Sequence, residues 1–418
     1  MSHTPSMRTV LSCSLLVVVA GAGATGCNGP EGHPLSARPY DAAGQITFNG
    51  PGDDRKAPLD RPLEVTSKDG GGRITDVTAV DEAGHYLAGE LAADGSRWRS
   101  TGPLAAEARY TVRIATENGD GAPGVRVLTF ETAAARQRMK VEFGPEPGTY
   151  GVGQPLTAAL SHPVTTKEGR AAVERGLKVR STPAVTGAWH WVDDKQLHYR
   201  PKEYWPAGTR INLTSNLAGV RVAKGVYGTP TDPLVLTIGD RVEAVTDAAA
   251  HQMVFKRNGK VINTIPVTTG KPGFSTRNGT KVVLEKQYFV RMRSTTVGIA
   301  EGSSESYDLP VYYATRVTWS GEYVHAAPWS VGSQGYANVS HGCVGMSTGN
   351  AAWFFENIRR GDLVTVVNSI GQDMAPFGNG FGDWNLPWDE WRQGSAVLGG
   401  TRDGATPADG ARLRPRAA

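Results

Sequence analysis

Period-two alternation limits the fold of this chain more than any other feature. Ile74-Thr75-Asp76-Val77-Thr78-Ala79-Val80, Tyr110-Thr111-Val112-Arg113-Ile114 and Val125-Arg126-Val127-Leu128-Thr129-Phe130 alternate apolar and polar residues, with Gly/Asp-rich turns between them. Successive side chains of a strand point to opposite faces, so this pattern buries one face of a sheet and wets the other. A run of such strands from Ile46 onward, with no convincing helix among them, predicts a β-sandwich. A second unit, from about Met139 to Ile238, opens with Lys140-Val141-Glu142-Phe143 and closes with Leu234-Val235-Leu236-Thr237-Ile238. Its close resembles that of the first unit, so two similar β modules in series are expected, although the repeat is too weak to establish common descent.

A third unit starts near Arg241. His251–Lys256 and Lys260–Ile265 flank Asn258-Gly259, a pair that accepts positive φ at low cost and marks a hairpin. Val282-Val283-Leu284, Tyr288-Phe289-Val290 and Glu322-Tyr323-Val324-His325 add strands. The spacing then becomes helical over Asn350–Arg360, with Ser347 or Thr348 as cap and Gly361 as stop, before Leu363–Val367 returns to strand.

The cysteines bear on location and stability. Arg8 precedes an apolar run from Val10 to about Ala24 that contains Cys13 and is too short to span a bilayer stably. Ala24-Thr25-Gly26-Cys27 resembles a bacterial lipobox, whose cysteine is lipidated, except that Ala24 stands where leucine is usual. The alternative is an ordinary secretory signal with Cys27 incidental; on either reading the protein is exported. No later segment is apolar enough to cross a membrane. Of the three cysteines only Cys343 remains, so no internal disulfide is expected and hydrophobic cores must hold the fold. The net charge of +4 carries little weight. No basic block marks a nucleic-acid binder, and Arg412–Arg416 reads as a frayed end.

Cys343 sits in Ser340-His341-Gly342-Cys343-Val344-Gly345-Met346-Ser347, on a predicted loop between strand and helix. His325 lies upstream, in Tyr323-Val324-His325-Ala326-Ala327-Pro328-Trp329-Ser330. A lone thiol with a histidine in folding reach is a nucleophile-and-base pattern, because only the thiolate attacks a carbonyl. His325, His341 and Cys343 are also atom types that suit zinc, but no further Cys, HExxH or paired-His pattern accompanies them, so neither metal nor cofactor is expected. His190, His198 and His251 read as surface or strand residues.

The pattern His325-x-x-Pro328-Trp329-Ser330 followed by Ser340-His341-Gly342-Cys343 is similar to the catalytic domain of the L,D-transpeptidases of the bacterial cell wall. The chain resembles in particular the actinobacterial branch, with tandem immunoglobulin-like domains ahead of the catalytic one. The likeness runs from about Ile46 to about Ser395 and includes Trp384-Asn385-Leu386-Pro387-Trp388-Asp389-Glu390-Trp391-Arg392. It implies a mostly β protein: leader 1–27, flexible tether 28–43, immunoglobulin-like domains 44–135 and 136–239, catalytic domain 240–368, a Trp-rich extension 369–398 packing on the catalytic domain, and a disordered tail 399–418. The three tryptophans, at helical spacing, fit either stacking on wall sugars or a structural clamp, and their apolar area favours the clamp.

The resemblance further implies an acyl transfer. Cys343 attacks the carbonyl before the terminal D-alanine of a donor tetrapeptide stem, and an acceptor stem's side-chain amine takes the thioester, giving a 3→3 cross-link. His325 acts as base, and the amides around His341, Gly342 and Cys343 face the oxyanion. By position Tyr307 matches a pocket-lining tyrosine and Met292 a substrate-contacting methionine, although both also suit packing; Trp329, expected to support the floor, and Ser340 complete the candidate substrate-binding residues. His341 suits a structural role as well as a chemical one. Carbapenem-type β-lactams are implied as covalent inhibitors, and the lipobox implies a membrane anchor facing the wall. Two departures stand out. Ala326 replaces a serine found in some relatives, so a main-chain carbonyl must orient His325 if anything does. Gly345 replaces an asparagine or arginine. An L,D-carboxypeptidase using the same thioester, and a non-catalytic wall-binding lipoprotein, remain as alternatives.

Overall fold

The computed structural model describes residues 38–398, apart from 52–54 and 69–71. The leader, Cys27, most of the tether and the tail from residue 399 lie outside the described residues. The described part of the expected tether is built into the fold: Tyr40–Asp41 pairs in parallel with Gly124 and Val125, and Ala42 is buried.

The first module is a pair of four-stranded sheets. Arg73–Asp81, Arg109–Glu117 and Pro123–Glu131 form one with Tyr40–Asp41, and Ile46–Phe48, Glu64–Ser67, Gly89–Leu91 and Arg97–Ser100 form the other. The alternation read in sequence is the buried face: Tyr110, Val112 and Ile114 lie in the core with Val65 and Trp98, while Arg109, Thr111 and Arg113 are exposed. The second module repeats the two four-stranded sheets around a larger core containing Trp189, Trp191 and Trp205, and adds a small three-stranded sheet. It also carries a helix, Lys167–Gly176, capped by Thr166, whose hydroxyl accepts from Gly169 N–H; Ala171 and Val173 are buried.

The third unit has a five-stranded sheet in the order Lys260–Pro266, Gln252–Arg257, Val242–Asp247, Leu363–Val367, Gly279–Val282. A four-stranded sheet follows the order Glu285–Arg293, Asp308–Arg316, Tyr323–Ala326, Val344–Met346. Asn258 and Gly259 both have positive φ at the predicted hairpin. The helix Thr348–Asn357 is capped by Ser347 and packs on the second sheet. It stops before Gly361, because Ile358 is already extended; Gly361, at φ +87°, serves the turn into the next strand.

The tryptophans do not share one helix. Trp384 lies in the turn Asp383–Asn385, Trp388 and Trp391 in the helix Trp388–Gln393, and Pro387 separates them. Together they clamp two units. Trp391 is fully buried and donates to Ala188 O at 3.0 Å, Trp384 donates to Gly153 O at 2.7 Å, and the Arg200 guanidinium lies 4.7 Å and 4.6 Å from the Trp384 and Trp391 rings. Asn385 ties the same segment to the catalytic unit by accepting from Thr280 N–H at 2.7 Å. The extension thus packs on the second module as well as on the catalytic domain. Among the described residues no helix is long and apolar enough to cross a membrane.

Candidate active site

Two adjacent parallel strands build the site. Val324 pairs with Val344 and His325 with Gly345, so Cys343, just before the second strand, falls on the same face as His325 and one step along it. Both side chains line one cavity of about 230 Å³. Met292, Tyr307, Leu309, Val311, Trp329 and Val339 give that cavity a mostly apolar wall. Trp329 is half exposed at the mouth, with its ring 6.1 Å from that of His325.

His325 is buried, and its Nδ1 lies 2.8 Å from Ala326 O. A main-chain carbonyl therefore orients the imidazole and assigns the proton to Nδ1, leaving Nε2 as the basic nitrogen. Burial pulls the imidazole pKa down, partly offset by that carbonyl, so the ring is neutral at neutral pH. The Cys343 thiol is pushed up to about 12, mainly by burial, with the Glu322 charge adding to the rise. At rest the thiol donates to Gly321 O at 3.5 Å. Nucleophile and base are both uncharged in this state.

The loop before Cys343 is held by its own side chains. Ser340 Oγ donates to Cys343 O at 2.6 Å and accepts from Gly342 N–H at 3.2 Å. Thr276 Oγ1 donates to Gly342 O at 2.8 Å. Gly342 has φ +118°, which side-chain-bearing residues rarely adopt. Its N–H is thus engaged by Ser340 rather than facing the cavity, which changes the expectation that it serves the oxyanion. Ser340 is correspondingly a loop-bracing residue as well as a cavity wall.

The His341 ring is held by neighbours other than the thiol. Its Nε2 lies 2.6 Å from Glu305 Oε2, and its ring packs 4.7 Å from Phe274 and 5.1 Å from Tyr307. Tyr307 is raised in pKa by burial and by the nearby Cys343. Met292 packs against the cluster of Val311, Ala314 and Tyr323, as does Cys343. Thr268, Glu305 and Lys271 were not singled out in the sequence, and Ser330 entered only as part of the His325 motif. Thr268 exchanges backbone hydrogen bonds with Gly345 at 2.9 and 2.8 Å, and a Cβ at Gly345 would stand only 3.0 Å from Ala327 and 3.1 Å from Thr268, so these neighbours crowd any side chain at that position. Among the described residues no three His, Cys, Asp or Glu side chains are grouped to hold a metal ion.

An L,D-transpeptidase catalytic domain model matches residues 241–366, and a bacterial Ig domain model matches residues 54–221. L,D-transpeptidase 2 of Mycobacterium tuberculosis is 37% identical over 339 residues, 81% of this chain and 81% of that protein. The chain belongs to the L,D-transpeptidase family. L,D-transpeptidase 1 of the same organism is 41% identical over 217 residues, 52% of this chain and 80% of the relative. The structure of LD transpeptidase LdtMt1 in complex with imipenem aligns with 55% of this chain and 99% of its own, at 38% identity and TM-score 0.48. This L,D-transpeptidase carries its catalytic domain behind β modules, as its sequence pattern predicts.

Proposed function

We propose that this L,D-transpeptidase makes 3→3 peptidoglycan cross-links through a thioester on Cys343. The observation that carries the reading is the pair of parallel strands that aims His325 and Cys343 into one apolar cavity. Sγ leaves Gly321 O, gives its proton to His325 Nε2 and bonds to the carbonyl carbon preceding the donor's terminal D-alanine. The amides of His341 and Cys343, with the Tyr307 hydroxyl, stabilise the oxyanion; the Gly342 amide is already engaged. Collapse expels D-alanine, whose amine takes the proton from His325. The acceptor's side-chain amine then attacks the thioester, His325 removes its proton, and the thiol is restored. Met292 and Trp329 contact the stems from either side of the cavity.

Because both reacting groups rest uncharged, proton transfer accompanies attack rather than preceding it. The apolar wall suits the stem's aliphatic side chains, and a carbapenem carbonyl reaches the same sulfur. Export and a Cys27 lipid anchor, with the β modules as a stalk, place this chemistry at the wall.

The test is incubation with purified disaccharide-tetrapeptide, read by mass spectrometry. The expected product is a dimer lacking one D-alanine. Tripeptide alone means hydrolysis and an L,D-carboxypeptidase. Neither product, from folded protein whose Cys343 also resists a carbapenem, means a binding protein.

A further inference from the structure

A buried ion cluster adjoins the nucleophile and takes no part in the acyl transfer above. Glu322 is 6% exposed and directly follows Gly321, whose carbonyl accepts from the resting thiol. Its Oε1 accepts from Arg277 N–H at 3.1 Å and from Arg277 Nη1 at 2.9 Å. Its Oε2 has no hydrogen-bond donor among the described residues and stands 3.6 Å from Nζ of the wholly buried Lys281. Lys281 Nζ itself donates to Arg277 O. Buried charges stabilise a fold poorly unless every lone pair is filled, so an open carboxylate oxygen at this place calls for a use.

The cluster is tied to the thiol from two directions. Glu322 N–H donates to Thr318 Oγ1 at 2.8 Å, and Glu322 O accepts from Val317 N–H at 3.0 Å, which closes the turn that presents Gly321 O. Thr276, next to Arg277, donates to Gly342 O at 2.8 Å, so two adjacent residues grip both the turn and the loop of the nucleophile. A Cβ on Gly342 would stand 4.0 Å from Glu322 Cγ. The other titratable groups at the thiol are uncharged near neutral pH, since burial raises the pKa of Tyr307 and Tyr323 and lowers that of His325. The pairs His341–Glu305 and Arg316–Glu285 meet the rings of Tyr307 and Tyr323. Glu322 is the charge that acts on the sulfur.

We propose that Glu322 is a positioning residue that keeps the proton of resting Cys343 on the sulfur, against Gly321 O, until an acyl donor lets His325 take it. The proposal rests on the acyl-transfer reading above. A free thiolate beside this carboxylate is repelled, whereas a sulfur that passes its proton to His325 as it bonds to carbon never carries the full charge. Reagents that need a ready-made thiolate, oxidants included, are therefore held off, and the acyl donor is not.

The experiment measures Cys343 modification by iodoacetamide and by imipenem, near neutral pH, in the full chain as wild type, Glu322→Gln and Arg277→Gln. A thiol acidified by about one pH unit carries about tenfold more thiolate, each about threefold less nucleophilic, so Glu322→Gln is expected to alkylate about threefold faster. Its acylation by imipenem, which recruits His325, is expected to stay level. Arg277→Gln removes a cation, keeps the carboxylate and is expected to alkylate no faster than wild type. A gain in Arg277→Gln is the mark of a loosened turn and overturns the proposal, even should Glu322→Gln not fold. No gain in folded Glu322→Gln, or imipenem acylation that rises in step with alkylation, overturns it too. Wild type that takes up no imipenem at Cys343 overturns instead the reading on which the proposal rests.

Discussion

The two ends of the catalytic unit are held together by different means. At the end facing the second module, Trp391 and Asp383 are wholly buried, His198 Nδ1 lies 2.7 Å from Asp383, and Glu174 accepts from Trp191 and Ser395. Beside the cavity, the mostly exposed segment 295–306 is joined to the loop of the nucleophile by the Glu305 carboxylate, 2.6 Å from His341 Nε2. The clamp is dry, aromatic and many-membered, so it fixes where the catalytic unit sits on its stalk. The link is partly exposed and single, so breaking it costs little. Stability is concentrated away from the chemistry.

The largest effect that would break this contrast is at the nucleophile's partner. His325→Asn is expected to lower Cys343 acylation by 10²- to 10⁴-fold, roughly the worth of a general base, with little change in the denaturant midpoint. Trp391→Ala is expected to do the reverse. It should cost about 3–5 kcal/mol in urea unfolding while acylation per folded molecule stays near wild type. If Trp391→Ala slowed acylation as much as it lowered stability, the two ends would not be separable.

A smaller effect sharpens the contrast at the seam between second module and catalytic unit. Asp362 is fully buried, accepts from Arg359 N–H at 2.7 Å, and is pushed up to about 7, mainly by burial. A carboxyl whose folded-state pKa is raised contributes fully below about 4, and that contribution is lost as pH rises toward 7. Thermal unfolding should therefore show stability falling between pH 4 and 7, and Asp362→Asn should flatten that slope and gain about 1–3 kcal/mol at pH 7. A slope unchanged in the variant would assign it to other groups. Smallest is Tyr307→Phe, expected to slow acylation about three- to tenfold if its hydroxyl reaches the oxyanion, and not at all if the ring serves packing alone.

Much of this architecture was legible in the residues, because strands and hairpins are local patterns. Alternation at Tyr110–Ile114, Asn258-Gly259 and the Ser347 cap each act within a few residues of sequence. Lys167–Gly176 was not read as a helix, since two glycines and few apolar residues weaken its pattern; Thr166 and burial in the second core supply what propensity lacks. The tryptophan spacing suggested one helix, but Pro387 divides it. The Cys343 and His325 constellation was visible as residue types. Glu305 and Lys271 were not, because 34 residues separate them and only the fold brings their charges together. Nor does a sequence reveal that Ser340 engages the Gly342 amide.

The most direct measurement is single-turnover reaction with disaccharide-tetrapeptide, quenched in acid and digested. The account predicts a tripeptide-stem adduct on the peptide containing Cys343, formed as D-alanine is released, and at least a hundredfold slower in His325→Asn. An adduct on another residue, or equal rates with and without the imidazole, would contradict it.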